Sequence, residues 1–169
     1  MIVVVAGVSG SGKTTVGTLL AERLGWIFAD GDGFHPAASV ARMRAGVPLT
    51  DADREPWLAA IAAWMDQQIA AGRSAVIACS ALRRAYRARL LDGRPAARMV
   101  FLLISHAEGE ARLTHRAGHF FPAALLDSQL ETLELPQPDE EYGQRMLVLR
   151  AGQDPEDIVS VITAWLGSP

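Results

Sequence analysis

At 169 residues the chain is expected to form a single domain, 1–169, since independent domains usually run to roughly 100–150 residues. Half of its residues are hydrophobic and 21% are charged, which excludes an intrinsically disordered chain. Nineteen acids against sixteen bases give a net charge of −3, which argues against a nucleic-acid binder built on a basic face.

Ile2–Ala6 is short, β-branched and continuously apolar, the pattern of a strand buried on both faces. Val16, Leu19, Leu20 and Leu24 then follow helical spacing from Lys13, and Gly25 is placed to end that helix. Trp26–Ala29 reads as a second strand, followed by Asp30-Gly31-Asp32 and a short helix near 39–45. Asp51 is the expected cap of a long helix to about Ala71, with Trp57, Ile61, Trp64, Met65 and Ile69 on its buried face. Ala75–Cys79 and Met99–Ile104 are further strands, separated by an arginine-rich helix over Ala81–Leu91. Helices over 107–116 and 123–130, a strand over 146–149 and a helix over 155–166 complete the chain. Strands alternating with helices predict an α/β fold with a five-stranded parallel sheet covered on both faces, a three-layer arrangement.

Cys79 is the only cysteine, so no internal disulfide or CxxC-type metal site is available and a reducing, intracellular setting is expected. The apolar start lacks the charged flank of a signal peptide. No run approaches the ~20 apolar residues that span a bilayer, so no membrane partner is expected.

Gly7-Val8-Ser9-Gly10-Ser11-Gly12-Lys13-Thr14 matches GxxxxGK[ST], and it lies between a strand and a helix as that motif requires. Its glycines let successive backbone N–H groups turn inward onto phosphate oxygens, and the helix N-terminus adds partial positive charge. Lys13, the only lysine among sixteen basic residues, would neutralise the β- and γ-phosphates of a bound nucleotide, and the Thr14 hydroxyl would ligate Mg²⁺. Thr15 extends the cradle. The strand ending at Cys79-Ser80 lacks the aspartate of an ordinary Walker B element, which leaves Asp30 as the candidate magnesium-side carboxylate.

Asp32 is the candidate orienting group or general base for an attacking hydroxyl. Asp-Gly is also common in simple turns, and the local sequence leaves both readings open. Arg54 near the start of the long helix, and Ser80, Arg83 and Arg87 after the third strand, fall at the ligand-facing edge of such a sheet. Arg112 and Arg116 share a helical face ahead of Gly118-His119-Phe120-Phe121, which reads as a flap, although two such arginines on a helix are more often plain surface charge. The four histidines lack metal-binding spacing.

Together these segments resemble the gluconokinase family. The likeness rests on Gly7–Thr14, on Asp30-Gly31-Asp32-Gly33-Phe34-His35-Pro36, and on Pro48-Leu49-Thr50-Asp51-Ala52-Asp53-Arg54-Glu55-Pro56-Trp57-Leu58. It continues through Cys79-Ser80-Ala81-Leu82-Arg83-Arg84-Ala85-Tyr86-Arg87, Gly118-His119-Phe120 and Ser128-Gln129-Leu130-Glu131-Thr132-Leu133-Glu134. The resemblance implies a nucleoside-monophosphate-kinase-like P-loop fold with a lid over about 112–135, and transfer of phosphate from ATP to D-gluconate in a cytoplasmic homodimer. It implies Arg112 near the adenine, with Gln153 and Pro155 completing that pocket, and Arg116 as the lid arginine. His35, Arg54, Arg83, Arg87 and His119 are the implied gluconate contacts. Ala117 stands where the family usually has lysine, Ser39 where asparagine is common and Arg42 where lysine is common. A shikimate or adenylylsulfate kinase of the same fold is the nearest alternative, and a non-catalytic nucleotide-binding regulatory module the more distant one.

Overall fold

The computed structural model describes residues 1–114, 123–137 and 143–167. Five strands, β1 (Ile2–Ala6), β2 (Ile27–Asp30), β3 (Ala75–Ala78), β4 (Ala97–Leu103) and β5 (Met146–Arg150), form one sheet in the order β2-β3-β1-β4-β5. Every pairing is parallel, with Val4 opposite Ile77 on one side and Met99 on the other.

Alternation along β1 divides the core. Ile2, Val4 and Ala6 pack with Trp57, Ile61 and Met65 of α3 (Asp51–Ala70) and with Leu90 and Leu91 of α4 (Arg84–Leu91). Val3 and Val5 face the opposite layer, made by Val16 and Leu20 of α1 (Lys13–Leu24) and by Ile158, Val159 and Ile162 of α7 (Pro155–Gly167). Burial of side chains on both faces explains why β1 reads as an unbroken apolar run. Three further helices are α2 (Ala37–Arg44), α5 (His106–Thr114) and α6 (Ala123–Thr132).

Two expected helix starts are corrected. The cap of α3 is Thr50, not Asp51: the Thr50 hydroxyl accepts from the Asp53 amide at 3.2 Å while the Asp53 carboxylate accepts from the Thr50 amide at 2.8 Å. This reciprocal box satisfies two otherwise free donors and releases Asp51 for side-chain contacts. The helix expected from Ala81 begins at Arg84, because Ala81 is buried in the left-handed region at φ 42° and breaks helical continuation.

Candidate active site

The loop between β1 and α1 wraps around the sheet's carboxyl edge. Gly10, at φ 80°, lies so close to α5 that a Cβ there would sit 2.9 Å from the Gly109 carbonyl oxygen. No side chain caps α1, so its first amides remain available to an anion. Lys13 Nζ donates to the Val8 carbonyl at 2.9 Å, which folds the ammonium back over the loop. Ser11 Oγ is buried inside the cradle without a hydrogen-bond partner among the described residues.

Asp30 ends β2 beside this loop. Its Oδ2 accepts from the Thr14 hydroxyl at 3.2 Å and its Oδ1 from the Asp32 amide at 3.0 Å. The same carboxylate that closes the Asp-Gly turn also accepts from Thr14. Gly31 is required here because a Cβ would lie 2.3 Å from the Ala78 carbonyl oxygen. A hydroxyl and a carboxylate at this edge are hard oxygen donors, suited to Mg²⁺ that keeps its remaining positions for water and phosphate.

Two cavities flank the loop. One, of about 200 Å³, is bordered by Gly10, Ser11, Gly12 and Thr15 with Arg112, Gln153 and Pro155. Arg112 lines it and donates to the Ala151 carbonyl at 2.6 Å. The residues expected around a nucleoside are thus brought together, although Arg112 and Gln153 are 41 positions apart.

The second cavity, of about 240 Å³, lies on the other side and is bordered by Lys13, Asp32, His35, Arg54 and Ser80. Ser9, Arg44, Trp57, Tyr86 and Gln129 also line it. His35 stacks on Trp57 with ring centroids 4.4 Å apart and planes within 7°. Trp57 is itself fixed by donating from Nε1 to the Gly31 carbonyl at 2.7 Å. Burial, aided by the nearby Arg54 guanidinium, pushes the His35 pKa down to about 4. His35 is therefore a neutral ring at ordinary pH, able to exchange hydrogen bonds with hydroxyls without adding charge.

Arg54 donates to the Tyr86 hydroxyl at 3.3 Å, and Tyr86 in turn donates to Asp51. Burial and the Asp51 contact together raise the Tyr86 pKa, keeping the phenol protonated. Arg83 does not line the cavity; its guanidinium is 2.6 Å from the Asp51 carboxylate. Arg87 is also corrected. It is fully buried, donating to the carbonyls of Leu82 at 3.0 Å and Glu134 at 2.9 Å over the face of Phe101. Arg116, Ala117 and His119 lie outside the described residues.

Sequence reasoning singled out no role for Arg44, Tyr86 or Gln129. Tyr86 and Gln129 stood within segments that carry the family resemblance, which was the available signal. Arg44, at the end of α2, had none.

A family model described as an AAA domain matches residues 2–136. The gluconokinase of Gluconobacter oxydans (strain 621H) is 54% identical over 137 residues, covering 81% of this chain and 77% of that protein. Among solved structures, a sugar kinase from Janibacter sp. HTCC2649 superposes with a TM-score of 0.89 at 45% identity, covering 98% of this chain and 93% of the other. A gluconokinase from Sinorhizobium meliloti 1021 gives 0.82 at 43%, covering 97% and 90%. The APS kinase of Mycobacterium tuberculosis, at 20% identity and a TM-score of 0.68 over 99% of this chain and 97% of that one, shares the fold.

Proposed function

Since the chain belongs to the gluconokinase family and phosphorylates D-gluconate with ATP to give 6-phospho-D-gluconate, we propose that Asp32 prepares the acceptor hydroxyl for attack. The hydroxyl oxygen forms the new bond to the γ-phosphorus, the bond from that phosphorus to the bridging oxygen of ADP breaks, and the hydroxyl proton passes to the Asp32 carboxylate. Lys13 and the loop amides take up charge on the phosphate oxygens. Thr14 and Asp30 would hold Mg²⁺, which when bound neutralises phosphate charge and aligns the chain of phosphates. The observation that carries this reading is that Asp32 and Lys13 border one cavity, so an acceptor group and a phosphate cation meet there.

Arg54 is assigned the gluconate carboxylate, and His35 and Ser80 its hydroxyls. Arg83 acts through Asp51, which orients Tyr86 and so Arg54. Arg112, Gln153 and Pro155 are assigned to the nucleoside side, with Ser9, Gly10, Ser11, Gly12 and Thr15 around the phosphates. Residues 112–135 are assigned as the lid, and within it Arg116 is assigned to the phosphates and His119 to the acceptor. We extend the reading to a cytoplasmic homodimer; among the described residues no helix is long and apolar enough to cross a membrane. Light scattering should return twice the 18.1 kDa chain mass.

A coupled assay of ADP release with gluconate, shikimate and adenylylsulfate tests the reaction. Release is expected with gluconate alone. Equal, low release with and without every acceptor would point to a nucleotide-binding module instead.

A further inference from the structure

The contact that the proposed reaction leaves unused is between the phosphate loop and α6. The Ser9 amide donates to Gln129 Oε1 at 2.7 Å, across 120 positions of sequence. Both residues border the acceptor cavity. A backbone N–H can only donate, so it fixes which end of the Gln129 amide it meets. Oε1 is held on the loop, and the remaining polar atom, Nε2, carries two donor hydrogens.

This side chain is mounted on a braced support. The Thr132 hydroxyl donates to the Ser128 carbonyl at 2.7 Å within the last turns of α6. Just beyond, Glu134 is tied to the loop after β3 from both sides: its amide donates to the Leu82 carbonyl at 3.0 Å, and its carboxylate accepts from the Arg84 amide at 2.7 Å. Arg87 clamps the Glu134 carbonyl from inside the core. Leu126, one turn before Gln129, is buried against the same core. A donor fixed in this way loses little freedom when it binds a ligand.

We propose that Gln129 is an acceptor-binding residue whose Nε2 donates to a hydroxyl of the polyhydroxy acid while Oε1 remains on Ser9. This rests on the gluconate reading and adds a specificity contact to it. One consequence is that the loop holding the nucleotide phosphates and the acceptor chain share a single amide, which sets the distance between them.

The test compares Gln129→Glu and Gln129→Met with the natural protein in steady-state assays varying gluconate and ATP separately. Glutamate can still accept from Ser9 but offers no donor at neutral pH; methionine keeps the length and removes both polar atoms. The gluconate KM is expected to rise at least about tenfold in both, the scale of losing one buried hydrogen bond to a ligand. The ATP KM should move by less than about twofold in Q129E, and thermal midpoints should stay close to that of the natural protein. An unchanged gluconate KM in Q129E overturns the assignment and leaves Gln129 as a cap on the loop. An ATP KM that rises in step with that for gluconate overturns it too, because the effect then acts through loop geometry. A natural protein that releases no ADP with gluconate overturns the reaction and this contact together, whereas normal turnover beside an unaffected Q129E overturns this contact alone.

Discussion

Asp30 and Asp32 are two residues apart and chemically alike, but their surroundings divide them. Asp30 is engaged by Thr14 and by the Asp32 amide, while Asp32 opens onto the acceptor cavity beside Lys13. Asp32→Asn keeps the shape and removes the proton acceptor, so kcat should fall by at least about 10²-fold. Single-turnover measurement of phosphate transfer checks this; an unchanged rate moves the base elsewhere. His35 supplies a pH prediction. Its folded pKa, about 4, lies below the ordinary 6.5, so between these values the unfolded chain holds a proton that the folded one does not. Stability should therefore decline as pH falls from 6.5 to 4, and His35→Gln should flatten that decline, read as urea midpoints at pH 7 and pH 5. The placement of Lys13, Asp32 and Arg54 at one cavity was legible because motif and edge position mark them. That of Arg87 was not, since helical spacing reports which face a residue occupies and not whether that face turns inward onto a carbonyl 47 positions away.

At the scale of the element, α3 shows how a helix start doubles as site architecture. With Thr50 and Asp53 satisfying each other, Asp51 is left to receive Tyr86 and Arg83, and Arg54 falls one turn into the helix facing the cavity. Thr50→Ala should cost about 1 kcal/mol, typical of a lost N-cap, measured by urea denaturation. A rise in gluconate KM should accompany it, because Arg54 loses a fixed starting point. Hydrophobic periodicity was enough to find the strands and the long helices. It misplaced the starts of α3 and α4, because a capping box and a left-handed alanine are local backbone events with no apolar signature.

At the scale of the molecule, the described residues that line the two cavities gather along one edge of the sheet, and a small number of long-range ties hold the peripheral helices to it. Alternation of strands and helices predicted the parallel sheet, but the order β2-β3-β1-β4-β5 depends on which strands pair, and apolar runs of similar composition do not specify that. Arg87 is one such tie, joining α4, the loop after β3 and the segment after α6. Arg87→Met would strand those carbonyls in the core, and a loss of about 3 kcal/mol is expected from breaking buried charge-assisted bonds. Chemical denaturation would measure it, and near-natural stability would show that the carbonyls find other donors.

Lys13, folded over the Val8 carbonyl, is the only side-chain primary amine in the sequence. Among the side chains of this sequence, amine-directed acylation therefore has one address, the cradle. Occupancy of the cradle can be followed as protection of one modification site, by intact mass, with no engineered label.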